Sequence, residues 1–324
     1  MLTSWFVGER WLRIGALALV LIGAMLSASY WLHADFADSA SYTAAVQRSL
    51  AGGSPYTALQ TAPYPLPDVA HGRGFIYPPS AILLLLPFAA GSGWVWNGLM
   101  LATLAAALWV VGRGALLVAV VLASPLVAEA MQVGQITPLI AVGILVAWRW
   151  PRGTAWVAGA GALLKLFPVL LLVWAIRKRQ PILMPLAVGA LTLAGSFIWP
   201  GHWVDFLAAW RNGQPACWSS EVPSFACLGI GWLGPVVAIA LTVAAWRVRA
   251  DAAAFALLGW AMIAPSPDLW MNYLLIPLVS SLPLLAEVLA AQRVHVSPSR
   301  REGGPRVERA TAGLEDEQLN VVAS

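Results

Sequence analysis

Two carboxylates stand close together where a long apolar segment ends near the N-terminus. The apolar run ends at about Leu32, and Asp35 and Asp38 follow in the hydrophilic segment that starts at His33. If the run crosses a bilayer, Asp35 lies within roughly one helical turn of the membrane surface. An ionisable group at that depth is costly to desolvate, so it is a functional candidate. A carboxylate there can take a proton from an attacking hydroxyl group; a solvated loop charge that only ends the span is the alternative.

Composition indicates an all-α polytopic membrane protein. The 324 residues are 60% hydrophobic and only 10% charged, whereas a soluble domain carries about 25% charged residues. The formal net charge of +4 is too small to indicate a nucleic-acid partner. Two cysteines, Cys217 and Cys227, form neither a disulfide scaffold nor a zinc pattern, although one bond between them stays open. We expect no metal and no cofactor.

The first apolar segment sets the orientation. Arg10 and Arg13 precede the run from Ile14 to Leu32, which is long enough to cross a bilayer. A signal peptide cleaved after Ser27-Ala28-Ser29 is the alternative. With the arginines inside, the segment 33–79 forms a large extracytoplasmic loop.

A short helix is predicted within that loop, from Ser39 to Ala51. Asp38 or Ser39 would cap it, and Gly52-Gly53 would end it. Helical spacing places four residues on one face, namely Tyr42, Ala45, Val46 and Leu50. We expect this helix to lie on the membrane surface.

The basic turns predict about ten transmembrane helices with both termini inside. The segment from Ser80 to Ala90 is apolar but too short to span. After Gln292 the chain is polar, so residues 292–324 are predicted to be a disordered cytoplasmic tail following a membrane domain of residues 1–291. The predicted spans are Ile14–Leu32, Trp94–Gly112, Ala115–Met131, Ile136–Trp148, two arms within Thr154–Ile176, Ile182–Trp199, Leu228–Trp246, Ala252–Ala264 and Trp270–Ala291.

The two arms follow from a conflict between basic turns. A single span from Thr154 to Ile176 would force either the turn at Arg149 to Arg152 or the turn at Arg177 to Arg179 outside. A helix break at Lys165–Pro168 removes the conflict, because Pro168 disfavours helical geometry before it. Lys165 then lies near the outer tip of a helical hairpin. At mid-membrane it would cost on the order of 3 kcal/mol without an anionic partner.

This topology gathers polar residues on the outer face. A carboxylate beside cations at that surface suits transfer of a group from a lipid phosphate, with the carboxylate as base and the cations holding the departing phosphate. For each residue alone, an ordinary polar loop position is the alternative. The set is Asp35, Asp38, His71, Arg73, Gln135, Lys165, His202, Asp268 and Asn272.

An ordered set of short motifs between about residues 10 and 290 resembles glycosyltransferase family 87. The motifs are Asp35-Phe36, Tyr42-Thr43-Ala44-Ala45, Gly53-Ser54-Pro55-Tyr56, Tyr77-Pro78-Pro79, Gly134-Gln135 and Gly161-Ala162-Leu163-Leu164-Lys165-Leu166-Phe167-Pro168. The resemblance implies a GT-C fold and inverting transfer of a sugar, expected to be mannose, from a polyprenyl-phosphate donor. The acceptor would be a lipid or a glycan, at the extracytoplasmic face of a bacterial-type inner membrane.

The same resemblance implies roles for individual residues. Asp35 matches the Asp of the family's Asp-Phe motif and would be the catalytic base. Donor phosphate and sugar would be bound by Lys165, Arg73, His71, Gln135, Tyr77 and Asn272. The chain departs from the family where Asn272 and Tyr273 stand in place of two histidines, which puts donor contacts and sugar choice in doubt.

A transporter or flippase of a lipid-linked sugar is the competing class. Such a protein is expected to carry paired broken helices in two sequence repeats. The sequence shows one Lys-Pro break and one large N-terminal outer loop, which favours the enzyme.

Overall fold

The chain is a helical protein throughout the part that the computed structural model describes, residues 2–62, 75–112, 115–212, 224–266 and 269–295. Short 3-10 turns join several of its helices. The α-helices within these ranges are α1 (Leu2–Leu32), α2 (Ala37–Leu50), α3 (Ala58–Thr61), α4 (Ala81–Leu85), α5 (Gly93–Gly112), α6 (Ala115–Leu122), α7 (Pro125–Val133), α8 (Thr137–Arg149), α9 (Thr154–Leu164), α10 (Leu171–Arg177), α11 (Leu183–Ser196), α12 (Pro200–Asn212), α13 (Leu233–Arg247), α14 (Asp251–Ile263) and α15 (Leu275–His295).

Three helices of the described residues are long and apolar enough to cross a membrane, or up to five spans if each bent pair counts as one. The three are Ile14–Leu32, Gly93–Gly112 and Met271–Ala291, and all three match predicted spans closely. The bent pairs are α6 with α7, at 56°, and α11 with α12, at 93°. Four further apolar helices are shorter than a bilayer requires. The chain is therefore a membrane protein, and the predicted count of about ten spans is not confirmed.

The largest apolar core packs α5, α7, α8, α10, α14 and α15 together. At its centre the ring of Trp174 stacks on Trp148 at 5.6 Å and lies 5.0 Å from the ring of Phe255. A second cluster joins α2 to the loop that follows it, through rings such as Tyr42, Tyr77 and Phe88. Helix α2 is therefore packed on the protein and does not project from it.

Helix α2 confirms the predicted short helix and corrects two of its details. It runs from Ala37 to Leu50, and its N-cap is Phe36 in the left-handed region at φ 50°, without a side-chain cap. The predicted cap at Asp38 or Ser39 is thus wrong, and both residues lie inside the first turn. Tyr42, Ala45 and Val46 are buried as predicted, whereas Leu50 is exposed. The buried face is completed by Ser39 and Ser49, because this face meets protein at both ends.

The predicted break in the Lys165 segment is present. Helix α9 ends at Leu164, Lys165 is extended at φ −137° and ψ 132°, and a 3-10 turn with Pro168 leads into α10. Helices α9 and α10 pack against each other, as the two arms of a hairpin do. A Cβ on Gly161 would lie 2.6 Å from Cβ of Pro168, so glycine permits this close approach.

By internal contacts the chain divides into Met1–Leu285 and Ala286–Ser324. The first unit holds helices α1 to α14 and the start of α15. In the second unit, residues 286–295 form the end of α15. The tail predicted to be disordered was residues 292–324; residues 292–295 belong to α15, and the rest lies outside the described residues.

Candidate active site

Helix α7 is the element on which the polar residues assemble. It begins at Pro125, which suits the first helical position, and ends at Gly134 in the left-handed region at φ 69°. A Cβ on Gly134 would lie 2.6 Å from Oγ of Ser39 on α2, so glycine is required by both conformation and space. The carbonyl oxygen of Gln132 accepts hydrogen bonds from the backbone N–H groups of Asp35, at 3.2 Å, and Phe36, at 3.0 Å. The end of helix α7 thereby fixes the segment that leads from α1 into α2.

The two loop carboxylates have different surroundings. Asp35 is exposed, and its Oδ1 accepts a hydrogen bond from the backbone N–H of Ala37 at 3.1 Å. Asp38 is half-buried, its Oδ2 lies 3.5 Å from the Tyr42 hydroxyl, and the Gln135 side chain is near enough to lower its pKa. Asp38 also interacts electrostatically with Lys165. The structure thus brings Asp38 into the polar cluster and places Asp35 at its exposed edge.

Burial raises the pKa of Asp38 to about 6, against the attraction of Lys165 and the hydrogen bond from Gln135, which lower it. The nearby charge of Asp35 raises it further. A carboxylate with such a pKa is deprotonated at neutral pH yet accepts a proton more readily than an ordinary aspartate does. This suits a general base.

Two buried tyrosines, Tyr42 and Tyr77, lie beside Asp38. The hydroxyl oxygens of Tyr42 and Tyr77 lie 2.8 Å apart, and the rings meet edge to face with centroids 5.3 Å apart. Burial raises the pKa of both hydroxyls, so each keeps its proton and remains a donor. The Tyr56 hydroxyl donates to the Tyr77 carbonyl oxygen at 2.6 Å, which holds the Tyr77 segment in place.

Lys165 is buried within the cluster. Its ammonium donates to Oε1 of Gln135 at 3.0 Å and to the hydroxyl oxygen of Tyr273 at 3.1 Å. It also lies 4.3 Å from the ring centroid of Tyr273 and 5.5 Å from that of Tyr77, within cation–π distance. The amine of Lys165 is therefore held in position by neutral oxygens and aromatic faces, and no ligand is needed to fix it there.

Gln135 connects Lys165 with Asn272, in the turn that leads into α15, through the Thr137 hydroxyl. It is only 6% exposed, its Oε1 accepts a hydrogen bond from Lys165, and its side chain lowers the pKa of Asp38. The Thr137 hydroxyl lies within hydrogen-bond distance of Oε1 of Gln135 and 3.2 Å from Oδ1 of Asn272. Gln135, Lys165, Tyr77 and Asn272, which the sequence predicted for the site, are thus brought together in one cluster.

Glu129 is a buried carboxylate that sequence reasoning missed. It lies on α7, is 6% exposed, and its Oε2 accepts a hydrogen bond from the backbone N–H of Asn272. It also interacts electrostatically with Lys165. The available signal was an acidic residue in the mostly apolar helix Pro125–Val133. Tyr273 was also missed, because it was read only as a departure from a family motif.

Other predicted residues fall outside this cluster or outside the described residues. His202, on α12, is buried, and its Nε2 lies 2.9 Å from the carbonyl oxygen of Gly53, so it holds the segment that follows α2. His71, Arg73 and Asp268 lie outside the described residues. Cys227 is disulfide-bonded, while Cys217, the other cysteine of the chain, also lies outside them. Within the described ranges, no group of three or more His, Cys, Asp or Glu could hold a metal ion.

The chain has apolar helices of membrane length, which define a polytopic membrane protein. Its candidate catalytic cluster contains the buried Lys165, the carboxylates of Asp38 and Glu129, and tyrosine hydroxyl groups. The model of glycosyltransferase family 87 matches residues 75–282, more than half of the chain. The chain therefore belongs to glycosyltransferase family 87 and is a membrane glycosyltransferase with a sugar donor and an acceptor. No curated protein and no solved structure shows significant similarity to it. The matched region includes Gln135, Lys165 and Asn272 and begins after the two loop carboxylates.

Proposed function

We propose that the enzyme transfers a sugar, mannose, from a polyprenyl-phosphate donor to a lipid or glycan acceptor. The reaction takes place at the extracytoplasmic face of a bacterial-type inner membrane, within a GT-C-type bundle. The observation that carries this proposal is the buried Lys165 ammonium, held by Gln135 and Tyr273 in one cluster with Asp38. A carboxylate and a fixed cation are the two groups that transfer from a sugar phosphate requires.

In the proposed step, an acceptor hydroxyl group attacks the anomeric carbon of the donor sugar. Its proton passes to a loop carboxylate, a new C–O bond forms, and the bond between the anomeric carbon and the phosphate oxygen breaks. The bonding electrons stay on that oxygen, so polyprenyl phosphate leaves with an added negative charge. The Lys165 ammonium stabilises this charge as it develops. Attack from the face opposite the phosphate inverts the anomeric centre.

The base is one of the two loop carboxylates. Asp35 is the residue that the family resemblance indicates. Asp38 is the one that the geometry favours, because it is half-buried, has a raised pKa and shares Gln135 with Lys165. Tyr77, Gln135 and Asn272 provide neutral hydrogen-bonding groups for the donor, and Arg73 and His71 are proposed as further donor ligands.

The test is incubation of membranes containing the protein with radiolabelled polyprenyl-phosphate mannose, followed by separation of lipids and glycans. Label is expected to move to a new product and to be released from the polyprenyl lipid. Membranes carrying Lys165→Met serve as the inactive control. Lys178→Met, which removes the other lysine of the chain, serves as the matched variant and is expected to transfer label. A transporter or flippase, the competing class, would move the donor across sealed vesicles without cleaving it, which contradicts the proposal.

A further inference from the structure

Glu129 carries a carboxylate at a position where a neutral side chain could accept the same hydrogen bond from the backbone N–H of Asn272. Its carboxylate is buried on an apolar helix and accepts the backbone N–H of Asn272, at the start of the 3-10 turn Met271–Leu274 that leads into α15. A glutamine could accept that bond equally well. Burying a carboxylate in a membrane helix is costly unless a cation balances it. Capping alone therefore does not account for the negative charge.

Glu129 interacts electrostatically with a buried cation, Lys165. The same ammonium interacts electrostatically with Asp38, so one carboxylate charge acts on it from α2 and another, that of Glu129, from α7. Gln135 and Tyr273, on two other segments, bond the ammonium directly. Tyr77 faces it with its ring. Lys165 is thus shared between two carboxylates that belong to different elements.

We propose that Glu129 is a positioning residue, a second counter-charge that keeps Lys165 from pairing with Asp38 alone. Held between two carboxylates, the ammonium stays on the Gln135 and Tyr273 oxygens and available to a phosphate. Without the second carboxylate, Lys165 is drawn to Asp38, which weakens Asp38 as a base and withdraws the cation from the donor. The catalytic meaning of this inference rests on the proposed glycosyl transfer.

The first test does not require activity. Infrared pH-difference spectra of the purified protein, without donor, detect the carbonyl stretch of protonated carboxyl groups, and the band missing from Asp38→Asn identifies Asp38. In the wild type this band is expected to titrate near pH 6. In Glu129→Gln it should titrate about one pH unit lower, because a closer ammonium and a lost negative charge both favour the ionised form. Glu287→Gln, which removes an exposed glutamate from α15, should leave it unchanged.

The second test follows transfer activity against pH. In Glu129→Gln the acidic limb of kcat/KM should move to lower pH together with the infrared band, and kcat should fall about tenfold while the donor KM changes less. Glu129→Asp keeps the charge but withdraws it by one methylene group. The acidic limb and the infrared band should therefore shift in the same direction as in Glu129→Gln, but by a smaller amount. It also serves as the test if the glutamine variant does not fold.

The outcomes separate this inference from the proposed function. An Asp38 band that titrates at the wild-type pH in both Glu129 variants would show that Glu129 is only a helix cap, and the inference would be wrong. A shifted band in a protein that transfers no sugar from the polyprenyl donor would support the charge sharing and contradict the proposed reaction.

Discussion

The ammonium of Lys165 lies 3.1 Å from the hydroxyl oxygen of Tyr273 and 4.3 Å from the centroid of the same ring. One side chain thus supplies both a hydrogen-bond acceptor and an aromatic face to the same cation. In sequence, Tyr273 stands where the family resemblance leads one to expect a histidine. A neutral tyrosine in that place adds no second positive charge beside Lys165.

Tyr273→Phe removes the hydroxyl group and keeps the ring. We expect kcat/KM to fall about tenfold, since a hydrogen bond to a charged group contributes about 1.5–3 kcal/mol and the ring contact is retained. Tyr273→Leu should lose both interactions and fall further. Kinetics with the polyprenyl-phosphate donor measure the difference. Equal rates for the two variants would mean that the ring contributes nothing to holding Lys165.

Lys165→Met retains much of the side-chain length and removes the charge. Turnover should fall by about 10²-fold or more, because the departing phosphate loses its fixed cation. Lys165→Arg should restore turnover only in part, because the planar guanidinium does not fit a site shaped for an ammonium. Protein abundance and thermal unfolding of each variant provide the control. Normal transfer by Lys165→Met would exclude the phosphate role.

The two loop carboxylates are distinguished by their pH profiles. In the wild type, kcat/KM should fall as the pH drops through about 6, because the base must be deprotonated and burial raises the pKa of Asp38 to that value. Asp38→Asn should reduce transfer by about 10²- to 10⁴-fold. Asp35→Asn should remain active with its acidic limb at lower pH, since loss of the Asp35 charge removes a cause that raises the Asp38 pKa. The reverse pattern would identify Asp35 as the base.

The helix break at Lys165 could be predicted because two independent constraints, the basic turns and Pro168, act on one short segment. The long apolar spans were equally accessible, since span length is a property of the sequence alone. The helix cap of α2 could not be predicted from the sequence. Phe36, in its left-handed conformation, and Asp35 both donate their backbone N–H groups to the carbonyl oxygen of Gln132. A contact across almost one hundred positions leaves no local pattern.

The site was predicted in part for the same reason. Gln135, Lys165 and Asn272 were found through short motifs, but their grouping depends on how α7 packs against α2 and the turn before α15. Glu129 showed no spacing pattern and could be recognised only from its burial and partners. The choice between Asp35 and Asp38 depends on which carboxylate α2 turns toward Gln135, a difference of about one helical turn.

The last prediction concerns Gly134, where α7 ends and turns Gln135 toward Lys165. Gly134→Ala places a Cβ at φ 69° and within 2.8 Å of the Ser39 Cβ. Backbone strain and overpacking together should cost about 2–5 kcal/mol. Gly98→Ala is the matched control, because Gly98 lies within α5 with no neighbour within 4 Å of an added Cβ. Alanine there should be neutral or slightly stabilising.

The measurements for the Gly134 variant are thermal unfolding in detergent and transfer kinetics at a temperature where it remains folded. We expect a lower unfolding temperature for Gly134→Ala alone and a loss of kcat/KM beyond what residual unfolding explains, since Gln135 would move away from both Asp38 and Lys165. A Gly134→Ala enzyme as stable and as active as Gly98→Ala would contradict the assignment of α7 as the frame of the site.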